Sequence, residues 1–131
     1  MEKLRLETHQ REQILDITKE VTQFVSRQKA ASGLVAVYCP HTTAAVSINE
    51  NADPDVKRDL LFHLGKAIPR SAEFHHSEDN ADAHIKAVLT GLSQVLLVEG
   101  GKPLLGTWQG IYFCEFDGPR NREVWLKFIA G

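Results

Sequence analysis

Residues 95–129, VLLVEGGKPLLGTWQGIYFCEFDGPRNREVWLKFI, decide the fold class. Three apolar runs stand in this stretch: VLLV from Val95, IYFCEF from Ile111 and VWLKFI from Val124. Branched and aromatic side chains of this kind pack well on a pleated surface, and the Gly, Pro, Asp and Asn clusters between the runs turn the chain. Three strands in succession, with no helical period between them, argue against the regular alternation of a doubly wound sheet.

Upstream, Gly91 ends a helix expected from about Ala81 to Thr90, with Ile85, Val88 and Leu89 turned inward. Asp53-Pro54 opens an earlier helix, a capping acid followed by proline at the first helical position. Val56, Leu60, Leu61 and Leu64 form its expected buried stripe, and Gly65 its end. A first helix is capped by Thr18 and carries Val21, Phe24 and Val25 at helical spacing. Residues 3–8 alternate, with Leu4 and Leu6 on one face and Lys3, Arg5 and Glu7 on the other. After Gly33, LVAVYC suits an interior strand. After Pro40, HTTAAVSI sets Ala44, Val46 and Ile48 against Thr43, Ala45 and Ser47. No repeat, low-complexity tract or linker divides residues 1–131, so the expectation is a single α+β domain with about three helices.

The chain has 131 residues, 43% hydrophobic and 24% charged, with a formal net charge of -2. That charge speaks against non-specific nucleic-acid binding, which rests on a basic surface. No apolar run is long enough to span a bilayer, and the charged start MEKLRLETHQRE lacks the apolar stretch of a signal peptide. The expected address is the cytoplasm. Cys39 and Cys114 sit inside apolar runs and read as buried reduced thiols.

Six histidines are the oddity of composition. His9 follows an edge-like strand, and His63 lies four residues after Asp59 on a helix; both read as incidental. His41, His75, His76 and His84 stand beside turns dense in Asn, Asp and Glu. In an extended segment His75 and His76 point to opposite sides, so only one of them enters a given site. Asn80 and His84 are four apart and share a helix face if the helix already begins at Asn80. Imidazoles converging with carboxylates from separate segments are a common way to build a divalent metal site, although no pair here has a recognised ligand spacing such as HExxH.

Asp53 reads as a helix cap. Glu115 is different, because in IYFCEF it shares a strand face with Ile111 and Phe113. A carboxylate in that row requires a cationic partner, a metal or an interface neighbour, and Arg120 and Arg122 follow closely. In LGTWQG, Trp108 stands between Gly106 and Gly110. With Gln109 it offers a stacking face and an amide for a flat polar molecule, while a β-turn with a core tryptophan explains the same letters. Arg120 and Arg122 together can hold a phosphate.

The segments HTTAAVSINENADPDV (41–56), HHSEDNADAHIKA (75–87) and GTWQGIYFCEFDGPRNR (106–122) resemble the signature blocks of the YjbQ-like family. Some members are described as having a secondary thiamine-phosphate synthase activity. The resemblance implies a compact mixed-sheet sandwich with a few helices, assembled as a homotrimer with sites near subunit boundaries. By position in the blocks it implies His41, His76 and His84 as metal ligands. It places Thr42, Asn49, Glu78, Asn80, Thr107, Trp108, Gln109, Arg120 and Arg122 around substrate, and gives Glu50 or Glu115 the task of handling protons or orienting a histidine. Asp79 stands where the family commonly has glycine.

The expected function is a metal-dependent enzyme acting on a small phosphorylated heterocycle. Three imidazoles favour a zinc-like ion, whereas pyrophosphate release usually runs on magnesium or manganese with oxygen ligands. That mismatch makes a thiamine-phosphate synthase-like transfer a side reaction. The alternatives are a metal-assisted hydrolase, or a non-catalytic trimeric module that binds a metabolite and uses these residues at its subunit interface.

Overall fold

Alternation at the N-terminus produces an edge strand. A computed structural model describes residues 1–71 and 73–131, and in it β1 (Glu2–Glu7) half-buries Leu4 and Leu6 while Lys3 and Arg5 stay in solvent. There follow β2 (Gln13–Asp16), α1 (Thr18–Arg27), β3 (Gly33–Tyr38), β4 (Ala44–Glu50), α2 (Pro54–Ala67) and α3 (Ala81–Thr90). The chain closes with β5 (Ser93–Glu99), β6 (Lys102–Pro103), β7 (Gln109–Glu115) and β8 (Asn121–Ala130).

The strands form a larger sheet in the order β1-β8-β3-β5-β6 and a smaller one in the order β2-β7-β4. Every ladder among the described strands is antiparallel. The two sheets face each other across one apolar core. Val35, Val37, Leu96, Val98, Val124 and Leu126 come from the larger sheet, and Val46, Ile111 and Phe113 from the smaller. Val21, Phe24 and Val25 of α1 join this core, as their spacing predicts. The other face of the small sheet carries Ala45, Tyr112, Cys114 and Phe116, which pack against Ala83 and Ala87 of α3. The α+β class and the sandwich of two sheets are therefore present as expected.

Three local expectations fail, each for a physical reason. Thr18 does not cap α1. Asp16 Oδ1 accepts from the Thr18 amide at 2.9 Å, while Thr18 Oγ1 accepts from the Ile111 amide at 2.8 Å. The hydroxyl thus ties the helix start to β7. In α2, Asp53 caps as expected, its Oδ1 accepting from the Asp55 amide at 2.9 Å. Yet no residue of α2 is fully buried, and the helix runs past Gly65, where nothing crowds the backbone, to Ala67.

In α3 the inward face is the polar one. Asp82, Ala83, Lys86 and Ala87 are buried, while Val88 and Leu89 are 77% and 68% exposed. The large rings of Tyr112 and Phe116 leave this helix room for alanines, and an ion network closes the remaining space. Lys86 Nζ reaches Glu12 at 2.8 Å and Asp82 at 3.0 Å, and Arg11 grips Asp82 with both terminal nitrogens at 3.0 and 3.2 Å. Buried charges persist only when paired in this way.

Candidate functional site

Two crossovers between the sheets create the site. β3 lies in the larger sheet and β4 in the smaller, so residues 39–43 must cross from one to the other. β7 and β8 are likewise divided, so residues 116–120 cross back. The ladder that pairs Ala44 with Glu115 brings these crossings side by side. The Phe116 amide donates to the Thr43 carbonyl at 3.1 Å, and the Asn80 side chain at the start of α3 donates to Asp117 Oδ2 at 2.7 Å. The result is a cavity of about 340 Å³ lined by His41, Thr42, Thr43, Glu78, Asn80, His84, Arg120 and Arg122.

Its floor is an ion pair. Glu115 is fully buried, and four donors saturate its carboxylate. Thr8 Oγ1 and Arg122 Nε each reach Oε1 at 2.8 Å, the Asp117 amide reaches Oε2 at 3.0 Å, and Arg122 Nη2 completes a bidentate pair. Burial alone would raise the Glu115 carboxyl, but the hydrogen bonds from Arg122, Asp117 and Thr8 outweigh it and hold it below the usual carboxylate range. Of the partners the sequence allowed for Glu115, a cation, a metal or an interface neighbour, the structure supplies the cation, Arg122. With both oxygens engaged, Glu115 is placed to fix Arg122, and the expected proton-handling role has no free oxygen to use. Arg122 Nη2 also donates to Thr43 Oγ1 at 2.8 Å, so the guanidinium is rigidly aimed. Arg120 is half-exposed beside it, its Nε on the Asp117 carbonyl at 2.8 Å and its Nη2 on Asp117 Oδ2 at 3.1 Å.

His41 has a defined tautomer. Its Nε2 accepts from the Glu123 amide at 2.9 Å, which leaves the ring proton on Nδ1. Burial, helped by the nearby Arg122 charge, pushes the imidazolium down below 6.5, so the ring is neutral at pH 7. His84 shares the cavity with His41. His76 meets His84 edge to face, with ring centroids 4.9 Å apart, and its Nε2 lies 3.8 Å from Glu78. His76 lines a separate, neighbouring cavity of about 200 Å³ rather than this one, and His75 lines neither. Of the two adjacent histidines, His76 packs against His84 but stands outside the cavity that His41 and His84 line. Asn80 is 6% exposed, and with its amide nitrogen on Asp117 its Oδ1 is a buried acceptor lacking a partner among the described residues.

The residues that could offer donors to a divalent ion are His76, His84, Glu78 and Asn80. Among the described residues no three His, Cys, Asp or Glu side chains already stand as a ligand cluster. His41 departs from the expected ligand role. Its Nε2 lone pair is taken by an amide, and ligation through Nδ1 would drive the ring proton onto Nε2, against that amide hydrogen. His76, His84 and Glu78 supply nitrogen and oxygen donors, and the orphaned Asn80 Oδ1 is an acceptor that a cation or a donor hydrogen would satisfy.

The other motif residues lie elsewhere. The β4–β7 ladder pairs Asn49 with Gly110 and Glu50 with Gln109, at the end opposite His41. Six residue steps of strand separate Glu50 from Ala44, roughly 20 Å. Thr107, Trp108 and Gln109 stand at that far end with them. Trp108 is 62% exposed and so is no core tryptophan, and Gln109 Oε1 accepts from the Gly106 amide at 2.7 Å to close its own turn. Gly110 is required because a Cβ there would lie 2.2 Å from Asn51 Nδ2. Within one chain these residues do not reach the cavity.

Thr8, Thr43 and Asp117 escaped the sequence reading. Asp117 and Thr43 carried a signal, since both adjoin named motif residues, but Thr8 reaches Glu115 across 107 residues and carried none. Both cysteines are free and buried, and burial pushes the Cys114 thiol up to about 12. No helix among the described residues is long and apolar enough to cross a membrane.

Known proteins place this arrangement in a lineage. UPF0047 protein MJ1081 of Methanocaldococcus jannaschii is 50% identical over 128 residues, covering 98% of this chain and 93% of its own. UPF0047 protein YugU of Bacillus subtilis is 48% identical over 128 residues, with 97% of each chain covered. The crystal structure of a YjbQ/UPF0047 family protein from Clostridium acetobutylicum is 50% identical and superposes with a TM-score of 0.97, covering 98% of this chain and all of that one. A hypothetical protein from Aeropyrum pernix, 38% identical, gives 0.94 over 99% and 98%. The sequence pattern described as UPF0047 protein YjbQ-like matches residues 2–131, and the chain belongs to that family.

Proposed function

We propose that the cavity between the crossovers binds a small phosphorylated molecule, and that the protein acts on it with the help of a divalent ion held by His76 and His84. The observation that carries this reading is the shared lining of the cavity by two arginines and two histidines beside one orphaned buried acceptor. Arg122, fixed by Glu115, and the more exposed Arg120 receive phosphate oxygens. His41 donates from Nδ1 to the same group, and its neutrality avoids a third adjacent cation. Asn80 Oδ1 takes a hydroxyl hydrogen of the ligand or a share of the ion. The ion would polarise a phosphoryl oxygen and lower the pKa of water beside it.

This chemistry suits hydrolysis of a phosphate ester better than synthesis of thiamine phosphate, because the donor set includes imidazole nitrogen and the two arginines already meet the phosphate charge. Assembly as a homotrimer is part of the same proposal. It is supported by apolar side chains on the outer face of the larger sheet, where Val95, Leu97 and Ile129 are each more than half exposed. The test is metal titration calorimetry with zinc, manganese and magnesium, on the wild type and on His76→Ala with His84→Ala. Stoichiometric binding lost in the double variant supports the reading; a wild type that binds none of the three removes the ion from it.

A further inference from the structure

A third crossing meets the two that build the cavity. β1 lies in the larger sheet and β2 in the smaller, so residues 8–12 pass between the sheets, and they do so against residues 116–120. The contact is close. The Gly118 amide donates to the Arg11 carbonyl at 2.9 Å, and a Cβ on Gly118 would stand 2.3 Å from the Gln10 carbonyl oxygen and 2.9 Å from Thr8 Oγ1. Only glycine lets the two segments approach so far.

Thr8 is the joint between them. It is 2% exposed and does not line the cavity, yet it touches what supports each arginine. Its amide donates to the Arg120 carbonyl at 2.9 Å, and its Oγ1 accepts from the Arg120 amide at 2.9 Å. The same Oγ1 donates to Glu115 Oε1 at 2.8 Å. A hydroxyl has one hydrogen to give, and the paired carboxylate of Glu115 can only accept. The hydrogen therefore goes to Glu115, and the lone pairs serve the Arg120 amide. The Arg120 carbonyl, 3.1 Å from Oγ1, already has the Thr8 amide. Glu115 in turn aims Arg122 through its Nε and Nη2. One buried hydroxyl thus ties the carboxylate that directs Arg122 to the main chain that carries Arg120. Valine has the same shape and would remove both ties.

Resting on the phosphate-binding reading above, we propose that Thr8 is a positioning residue of the cavity, its hydroxyl setting the spacing and direction of Arg120 and Arg122 and through them the affinity for phosphate. Thr8 acts on the arginines and not on the ligand, and no bond is made or broken.

The test is calorimetric titration of inorganic phosphate into the wild type, Thr8→Val, Thr8→Ser and the core variant Val35→Ala, with urea unfolding of each. Thr8→Val binds phosphate about ten-fold more weakly, while Thr8→Ser, which keeps the hydroxyl, stays within about two-fold of the wild type. Val35→Ala loses stability to a core cavity and keeps its phosphate affinity. Thr8→Val binding as the wild type does, Thr8→Ser binding as weakly as Thr8→Val, or Val35→Ala weakened equally overturns the proposal. Should Thr8→Val fail to fold, amide exchange in the wild type decides. Saturating phosphate slows the Thr8 amide by about three-fold or more and leaves the Val35 amide as it was; an unchanged Thr8 amide overturns the proposal. Failure of the wild type to bind inorganic phosphate would instead overturn the reading of the cavity, and this proposal with it.

Discussion

The two ends of the β4–β7 ladder carry equally dense motifs and have opposite characters. At the Ala44–Glu115 end, a buried ion pair floors a cavity, and several polar atoms are held in fixed directions with room beside them. At the Glu50–Gln109 end, polar groups spend themselves on local structure. Asn51 Nδ2 donates to Asp16 at 2.9 Å, and Gln109 folds back onto Gly106. One end presents aimed and underused groups; the other is self-satisfied. Motif density alone does not mark a site, whereas burial combined with incomplete pairing does.

The largest expected effect breaks the first end. Arg122→Met leaves Glu115 buried without its cation and should cost about 3–5 kcal/mol in urea unfolding. Next comes Lys86→Met in α3, expected to cost about 1–3 kcal/mol, since Asp82 retains Arg11 but loses one charged donor. At the self-satisfied end, Asn51→Ala should cost only about 0.5–1 kcal/mol, because its bond to Asp16 is exposed. Trp108→Ala should change stability by less than about 0.5 kcal/mol and leave phosphate binding by the cavity untouched. Lost binding in that variant would show that a second copy of the chain brings the far end to the cavity.

Acid should also separate His41 from the hydrogen-bonded carboxylates, Asp16 at the far end included. His41 has a folded pKa below its unfolded 6.5, so as pH falls past 6.5 the unfolded chain takes up the proton first and stability declines until the folded value is passed. Glu115 and Asp117 have lowered folded pKa values. Their contribution is complete above the ordinary carboxylate range and is lost as pH falls through the folded values. Unfolding midpoints measured from pH 8 to pH 3 should therefore fall in two stages. His41→Gln should abolish the stage that begins near pH 6.5 and keep the more acidic one.

Much of the fold was legible because periodicity reports one-sided burial. α1 buries the stripe its spacing announces. The strands from Gly33, Ala44, Ile111 and Val124 lie where their apolar runs stand, those from Ala44 and Ile111 being buried on both faces because α3 covers the small sheet. The helix α3 was misread because its apolar residues Ile85, Val88 and Leu89 form a tidy stripe, whereas packing selected the stripe of Asp82, Ala83, Lys86 and Ala87. Charges at i and i+4 suit the surface as well as the interior, and nothing local reveals Arg11 and Glu12 arriving from 71 and 74 residues away. The site followed the same pattern. Glu115 among apolar neighbours signalled a partner, whether cation, metal or interface neighbour, because the cost of burying it alone is set by the strand itself, and which of the three it is follows only from the fold. The tautomer of His41 was hidden, since it depends on an amide 82 residues downstream. The separation of Glu50 and Trp108 from His41 was equally hidden, because it follows from strand direction and register.

The central claim, that His41 and His84 share a phosphate-binding cavity with Arg120 and Arg122, is tested most directly by histidine-ring nitrogen NMR during titration with inorganic phosphate. The account predicts His41 as the Nδ1-protonated tautomer, with His41 and His84 shifting together on saturation while His9 and His63 stay still. Ring signals that do not respond, or that shift equally at His9 and His63, would contradict it.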